Sequence, residues 1–191
     1  CPGWVKASEG IPRRPAGQAA IDGSMHHEVM ERCQKEGKKP EDYNNMIYVE
    51  DGIKREFTED DFDLSNIAYN ATNDLLDDLD IDQLEIEPFV QLVPGVAGGS
   101  IDLLGLSADG KKLLVADYKF GSYKVSPKDS AQLALYAISA QADSATADLF
   151  DKVDMVVFAI IQPKVKGVVS TWTTTLSKLK QFEKEFRNAM E

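Results

Sequence analysis

Residues 99–120 read GSIDLLGLSADGKKLLVADYKF, and this stretch decides the fold. Ser100 to Leu106 predicts a strand, Ala108-Asp109-Gly110-Lys111 a turn and Lys112 to Phe120 a further strand, so the whole reads as a hairpin. Side chains alternate along a strand, which puts Asp117 and Lys119 on one face and Ala116, Tyr118 and Phe120 on the other. On the earlier strand Ser100, Asp102 and Leu104 share a face, and hairpin pairing can bring Asp102 across from Asp117. Two carboxylates beside an ammonium suit a hard divalent cation such as Mg²⁺, which takes oxygen ligands and keeps several waters. Such an ion polarises a phosphoryl oxygen and lowers the pKa of water, and the lysine could position that water. An ordinary Asp–Lys ion pair on an exposed strand face is the plainer account of D-x-K taken alone.

Working upstream, Leu84, Ile86 and Phe89-Val90-Gln91-Leu92-Val93 keep a period of two until Pro94-Gly95 and Gly98-Gly99 interrupt it, predicting one strand and a turn. Thr58 and Asp61 form a capping box with Asp in place of Glu. Leu64, Ile67, Ala68, Ala71, Leu75 and Leu79 follow at helical spacing, giving a helix with an acidic outer face. Residues 38–57 are polar, with Asp51-Gly52 as a turn signal. From about Asp22, GSMHHEVMERCQKEG contains no proline and ends at Gly37, which predicts the first helix. Residues 1–20, with Pro2, Pro12, Arg13, Arg14 and Pro15, read as an irregular lead-in.

Downstream, Ser126-Pro127-Lys128-Asp129 offers an N-cap serine and a proline at the first helical position, predicting a helix that opens there and runs to about Ala142. The apolar run from Asp154 to Gln162, bounded by Pro163, predicts a buried strand in the middle of the sheet. Val168 to Thr174 predicts another strand, and Leu176, Leu179, Phe182, Phe186 and Ala189 mark a closing amphipathic helix. The order is helix, helix, three strands, helix, strand, strand, helix: an α/β fold with a mixed sheet flanked by helices.

A length of 191 residues predicts a single domain, here with an acidic helical segment at about 41–82. With 43% hydrophobic and 28% charged residues the chain is of globular composition. It lacks an apolar run of the roughly 18 to 20 residues that spans a bilayer, and its first 20 residues carry no signal-peptide core, so a soluble, membrane-free protein is expected. Cys1 and Cys33 cannot build a disulfide framework or a four-thiolate metal site, which points to an intracellular chain with incidental thiols. The net charge of −11 argues against a nucleic-acid partner until its distribution is considered. Residues 41–87 hold 16 acids against Lys54 and Arg55, whereas the other 144 residues carry 16 acids and 19 bases. The acidity is regional, and bound divalent cations would offset part of it.

Two helices add candidates. Gly23, His27 and Glu31 recur at four-residue intervals, so His27 and Glu31 can sit on adjacent turns as metal ligands, while His26 points about 100° away. Gln132 and Tyr136 share a face in the same manner and can hydrogen-bond a phosphate or orient a neighbouring ligand. Ordinary core packing or solvent exposure remains open for each of these taken singly.

In order along the chain, these pieces read Gly23-His27-Glu31, Gly99-Ser100-Ile101-Asp102, Asp117-Tyr118-Lys119 and Gln132-Tyr136. This resembles the PD-(D/E)XK nuclease superfamily in its RecB-like branch, which includes many phage and recombination exonucleases. The opening CPGWVKASEGIP leading into DGSMHHEVMERC also resembles phage-type members. The resemblance spans about residues 1–140, and the strand at 154–162 fits the remaining element. It implies a restriction-endonuclease-like core, α-β-β-β-α-β, and Mg²⁺ or Mn²⁺ held by His27, Asp102, Asp117 and the backbone carbonyl of Tyr118. It also implies that Lys119 assists the nucleophilic water, that Gln132 and Tyr136 support the site and the DNA, and that Glu31 and Glu87 are additional groups. Lys124 and Lys128, with Lys111 and Lys112, are the candidates for DNA backbone contacts.

The activity implied is a metal-dependent deoxyribonuclease, preferred as an exonuclease. Some relatives hold an iron–sulfur cluster on four cysteines; two cysteines cannot, so no such cluster is expected in one subunit. With no helicase motif, the enzyme would stand alone, self-associate or work with a recombination or single-strand-annealing partner, in the cytoplasm of the host if phage-encoded. Two rivals are a catalytically inactive nuclease-fold protein that binds or scaffolds DNA, and a carboxylate-pair hydrolase acting on sugars without metal.

Overall fold

The first helix, α1 (Gln18–Glu36), begins four residues before Asp22 and ends where Gly37 turns left-handed at φ 65° and returns its amide to the Cys33 carbonyl. A left-handed cap of this kind costs glycine little, which is why the chain stops there. The coordinates are a computed structural model and describe residues 17–93 and 97–190. The expected lead-in over 1–16 and the Pro94-Gly95 turn lie outside the described residues.

The polar stretch after α1 contains structure that its composition hid. A 3₁₀ turn (Pro40–Tyr43) leads into a hairpin of β1 (Ile47–Glu50) and β2 (Ile53–Glu56), joined by Asp51-Gly52. Both turn residues have positive φ, at 50° and 79°, which matches the twist of a two-residue hairpin. Helix α2 (Glu59–Asp78) then opens on the expected capping box, with the Thr58 amide donating to Asp61 Oδ2 at 2.9 Å.

The expected strand over 84–93 is two strands in different sheets: β3 (Ile81–Ile86) and β4 (Phe89–Val93). Glu87 breaks it by taking φ 55°, a left-handed conformation that costs a residue bearing a Cβ roughly 1–2 kcal/mol. The expected strand at 100–106 divides in the same way. β5 (Ala97–Ser100) pairs with β4, while β6 (Leu103–Ser107) joins the main sheet. Two bonds tie this double crossing together, Glu87 N to Asp102 O at 3.2 Å and Ile101 N to Pro88 O at 3.1 Å. The hairpin of β6 and β7 (Lys112–Tyr118) forms as expected.

β8 (Met155–Ile161) runs parallel to β7, and β9 (Val169–Thr175) returns antiparallel, giving a five-stranded mixed sheet ordered β3-β6-β7-β8-β9. The middle strand is therefore β7. β8 is interior and continuously apolar because both of its faces are covered, not because it is central. Helix α3 (Ala131–Ala142) starts five residues later than Ser126. Asp129 turns left-handed at φ 56° and closes the Ser126-Pro127 segment as a turn, leaving Ser130 to cap by accepting from Leu133 N at 3.3 Å. Helix α4 (Leu176–Met190) closes the described chain. Among the described residues no helix is long and apolar enough to cross a membrane.

Alternation along β7 divides the core. Leu113 and Val115 pack with Leu133, Ala137 and Leu179 from α3 and α4, whereas Leu114, Ala116 and Tyr118 pack with Met30, Ala68 and Leu75 from α1 and α2. The result is a mixed α/β architecture, compatible with a restriction-endonuclease-like fold. Asp117 has the parity of Leu113 and Val115, so it faces α3 at the sheet end where β6 departs.

Candidate metal centre

β6 leaves the ladder at Leu103, which pairs with Ala116, so the Tyr118 amide has no strand partner on that side. Asp102 supplies one: its Oδ2 accepts from Tyr118 N at 2.5 Å. His27, from α1, places Nδ1 3.4 Å from the same oxygen. Glu87 completes the group, because its left-handed backbone turns the chain at the β3–β4 junction, against Asp102. One donor atom from each of His27, Glu87 and Asp102 lies within 4.8 Å of the others, a spacing that a single ion could bridge.

Asp117 stands beside this triad. Its Oδ2 lies 2.6 Å from Lys119 Nζ, and its Oδ1 accepts from Gln132 Nε2 at 3.2 Å. Gln132 also donates to Tyr136 Oη at 3.1 Å, and its Oε1 is 3.4 Å from Lys119 Nζ. Asp117 is only 4% exposed, and its Oδ2 has the ammonium close by without the alignment of a normal hydrogen bond. Two helices, the end of β7 and the residues flanking β6 and β7 thus deliver His27, Asp102, Asp117, Lys119, Gln132 and Tyr136 to one sheet end.

The electrostatics follow from crowding carboxylates in a half-buried space. Burial, then the Asp102 charge and its hydrogen bond, push Glu87 up to about 7, with Glu31 adding to the effect. Burial and Asp102 also raise Asp117, against the pull of Lys119. Asp102 goes the other way: burial opposes its charge, but the hydrogen bond and charge of His27 and the Tyr118 amide outweigh it and hold the carboxyl below the usual range. Burial likewise disfavours the His27 cation, yet Asp102 and then Asp117 raise its pKa overall. Neighbouring acids pushed apart in this way mark a site short of positive charge. An imidazole nitrogen and two carboxylates are ligands that Mn²⁺ accepts and whose oxygens suit Mg²⁺, so the residues present fit a divalent cation.

Tyr118 faces the site through its backbone. The amide and carbonyl of a strand residue point to the same side, so the carbonyl shares the edge on which Tyr118 N meets Asp102, while the side chain is buried with its hydroxyl 3.0 Å from Thr72 Oγ1. Glu31 lies near enough to influence Glu87, but its Oε1 pairs with Lys35 at 2.5 Å and it is outside the triad. Lys124 and Lys128 are exposed on the segment between β7 and α3. Lys112 opens β7 at the end opposite the metal centre, about 16 Å from Asp117 by strand rise, with Lys111 directly before it. His26 is buried, 2.9 Å from Ser65 Oγ and stacked on Phe120, and belongs to the packing of α1 on α2.

The structure adds a role for two residues, one of them already part of the quoted motifs. Gly99 of β5 lies against the Tyr136 ring, where a Cβ would stand 3.1 Å from Cε1, so the glycine leaves room for that tyrosine. Gln162, just past β8 and 2% exposed, donates to the carbonyls of Gly121 and Tyr123 and accepts from Val125 N. A polar residue directly after an apolar run was its only signal.

The family described as "Protein of unknown function (DUF2800)" matches residues 1–190. No curated protein matches the chain significantly. Among solved structures the chain is similar to protein VC1899 from Vibrio cholerae, at 13% identity over 90% of this chain and 52% of that one, with a TM-score of 0.29. The chain thus spans about half the length of VC1899, and so slight a likeness carries no argument.

Proposed function

The chain belongs to the DUF2800 family, and from the geometry of its site we propose that it is a metal-dependent DNA nuclease of the PD-(D/E)XK type, in the RecB-like branch and acting as an exonuclease. One observation carries this reading: His27, Glu87 and Asp102 converge within 4.8 Å next to an Asp117–Lys119 pair separated by 2.6 Å. An ordinary surface ion pair would not need a buried aspartate with two further carboxylates and an imidazole around it.

Divalent Mg²⁺ or Mn²⁺, when bound, would polarise a phosphoryl oxygen and make water a competent nucleophile near neutral pH. His27, Asp102 and Glu87 would hold it, with Asp117 and the Tyr118 carbonyl at its margin. Lys119, fixed between Asp117 and Gln132, would orient the attacking water and offset charge developing on the phosphate. The water oxygen would add to phosphorus and release a proton to solvent as the P–O bond to the leaving sugar breaks, and the leaving oxygen would take up a proton from solvent. Tyr136 acts through Gln132, holding its amide while the amide holds Asp117.

The test is degradation of end-labelled linear DNA with Mg²⁺ or Mn²⁺ by wild type, Asp117→Asn and Lys119→Ala. Cleavage by wild type alone, abolished by chelator, is expected. Equal degradation by all three would reject the assigned site, and binding without cleavage by wild type would favour the scaffolding reading.

A further inference from the structure

Tyr123 is 93% exposed, the most exposed large hydrophobic side chain among the described residues, and it follows Lys119 by four positions. The segment that carries it has no regular secondary structure, yet its backbone is pinned. Gln162 Nε2 donates to Gly121 O at 2.9 Å and to Tyr123 O at 2.7 Å, and Gln162 Oε1 accepts from Val125 N at 3.0 Å. Burying an amide is unfavourable unless both ends are satisfied, and here loop backbone alone satisfies them. The parallel register aligns Ile161 with Tyr118, so Gln162 lies level with Lys119 and the pinned loop projects from the end of the sheet that holds the metal centre. Exposed Lys124 follows Tyr123 directly, and exposed Lys128 lies further along the same segment.

An aromatic ring held out in water beside a hydrolytic site, with lysines next to it, has the chemistry of a nucleobase platform. Aromatic side chains stack on any base, and inside a duplex both faces of a base are already covered by the neighbouring pairs. We propose that Tyr123 stacks a base of single-stranded DNA as the strand enters the site, with Lys124 and Lys128 on its phosphates and Gln162 as the positioning residue. This deepens the nuclease reading and rests on it only for placing DNA at this end of the sheet.

The test is binding rather than cleavage. A thymidine oligonucleotide of about 12 nucleotides carrying one 2-aminopurine is titrated in Ca²⁺ or chelator, reading anisotropy and 2-aminopurine quenching. Tyr123→Ala is expected to weaken binding by roughly 5- to 150-fold, the range found when base-stacking aromatics are truncated, and to abolish the quenching. Tyr123→Phe and Tyr123→Trp retain both, and the affinity for a blunt duplex of equal length is unchanged in every variant. Equal oligonucleotide affinity and quenching for wild type and Tyr123→Ala overturns the proposal, as does loss of duplex binding in parallel. If Tyr123→Ala instead changes self-association and leaves oligonucleotide binding intact, the surface is a protein interface and the platform falls. Wild type that binds and quenches but never cleaves keeps the platform and removes the nuclease reading, so the two fail separately.

Discussion

Gly99 and Tyr136 occupy one another's space: a Cβ on residue 99 would stand 3.1 Å from Tyr136 Cε1 and 3.5 Å from its hydroxyl oxygen. That contact joins the β4–β5 ribbon to α3, and through Gln132 it reaches Asp117 and Lys119. Gly99→Val should displace the Tyr136 ring, costing about 1–3 kcal/mol as an overpacked site and loosening the Gln132 amide from Asp117. In a Tyr136→Ala background the same substitution should cost less. Urea unfolding of the four proteins gives the coupling, expected at about 0.5–3 kcal/mol. Strictly additive losses would mean that residue 99 acts independently of Tyr136.

The crowded carboxylates make a prediction about metal. With binding confined to the folded chain, Mn²⁺ at about 100 times its dissociation constant should stabilise wild type by about 2.7 kcal/mol. Asp102→Asn should lose most of this stabilisation, while Glu31→Gln, whose parent side chain is turned to Lys35, should keep it. Glu87→Gln should split the two properties, because it removes a charge that burial and Asp102 disfavour but also removes a ligand. The variant is expected to melt at or above the wild-type temperature without metal and to show a smaller Mn²⁺ shift. A melting profile with the opposite order in both conditions would reject the role given to Glu87.

The start of α3 separates two serines that look alike in sequence. Ser130 Oγ accepts from Leu133 N, so Ser130→Ala should cost about 1 kcal/mol, the usual loss for an N-cap. Ser126 Oγ accepts only from Lys128 N, inside a turn, and Ser126→Ala should cost a few tenths. Chemical denaturation of both variants measures the difference, and a larger loss at Ser126 would restore the earlier start.

The β6–β7 hairpin, the alternation that sets Asp117 beside Lys119, and the His27 helix were readable because each depends on a local period of two or of 3.6. Ser126-Pro127 and Ser130 both carry capping chemistry, and what decided between them was the left-handed turn at Asp129, which no local pattern announces. Glu87 is similar. It was named as an additional group through resemblance, but its place in the triad comes from a strained residue where the chain crosses between two sheets. β1 and β2 were missed because four-residue strands with exposed Ile47 and Val49 have neither length nor a clean alternation.

Gln162 predicts a mobile loop on its removal. Gln162→Met keeps the volume but leaves the carbonyls of Gly121 and Tyr123 and the Val125 amide without their partner. Solvent can rehydrate an exposed loop, so the stability loss should be about 1–3 kcal/mol. Chymotrypsin cleavage after Tyr123 should accelerate by about tenfold or more as the segment opens locally. Unchanged cleavage at Tyr123 would show that the loop is held by something other than this amide.

Cys33 makes a prediction about stability at alkaline pH. It is 1% exposed among Met25, Val29, Tyr43 and Phe57, and burial, followed by the charges of Asp42 and Glu41, pushes its thiol up to about 12 from an ordinary value of 9.0. The folded chain therefore holds this proton more tightly than the unfolded chain does. Its contribution is complete below pH 9 and declines as the pH rises towards 12, by up to about 1.4 kcal/mol per pH unit. Urea titrations at rising pH, with Cys1→Ser in both backgrounds, should show a steeper alkaline loss for the Cys33 protein than for Cys33→Ala. The alanine variant should start lower, from the cavity it leaves, and converge with its parent as the pH rises. Parallel curves would assign the alkaline loss to other groups, with Tyr43, also raised to about 12 by burial, the next to examine.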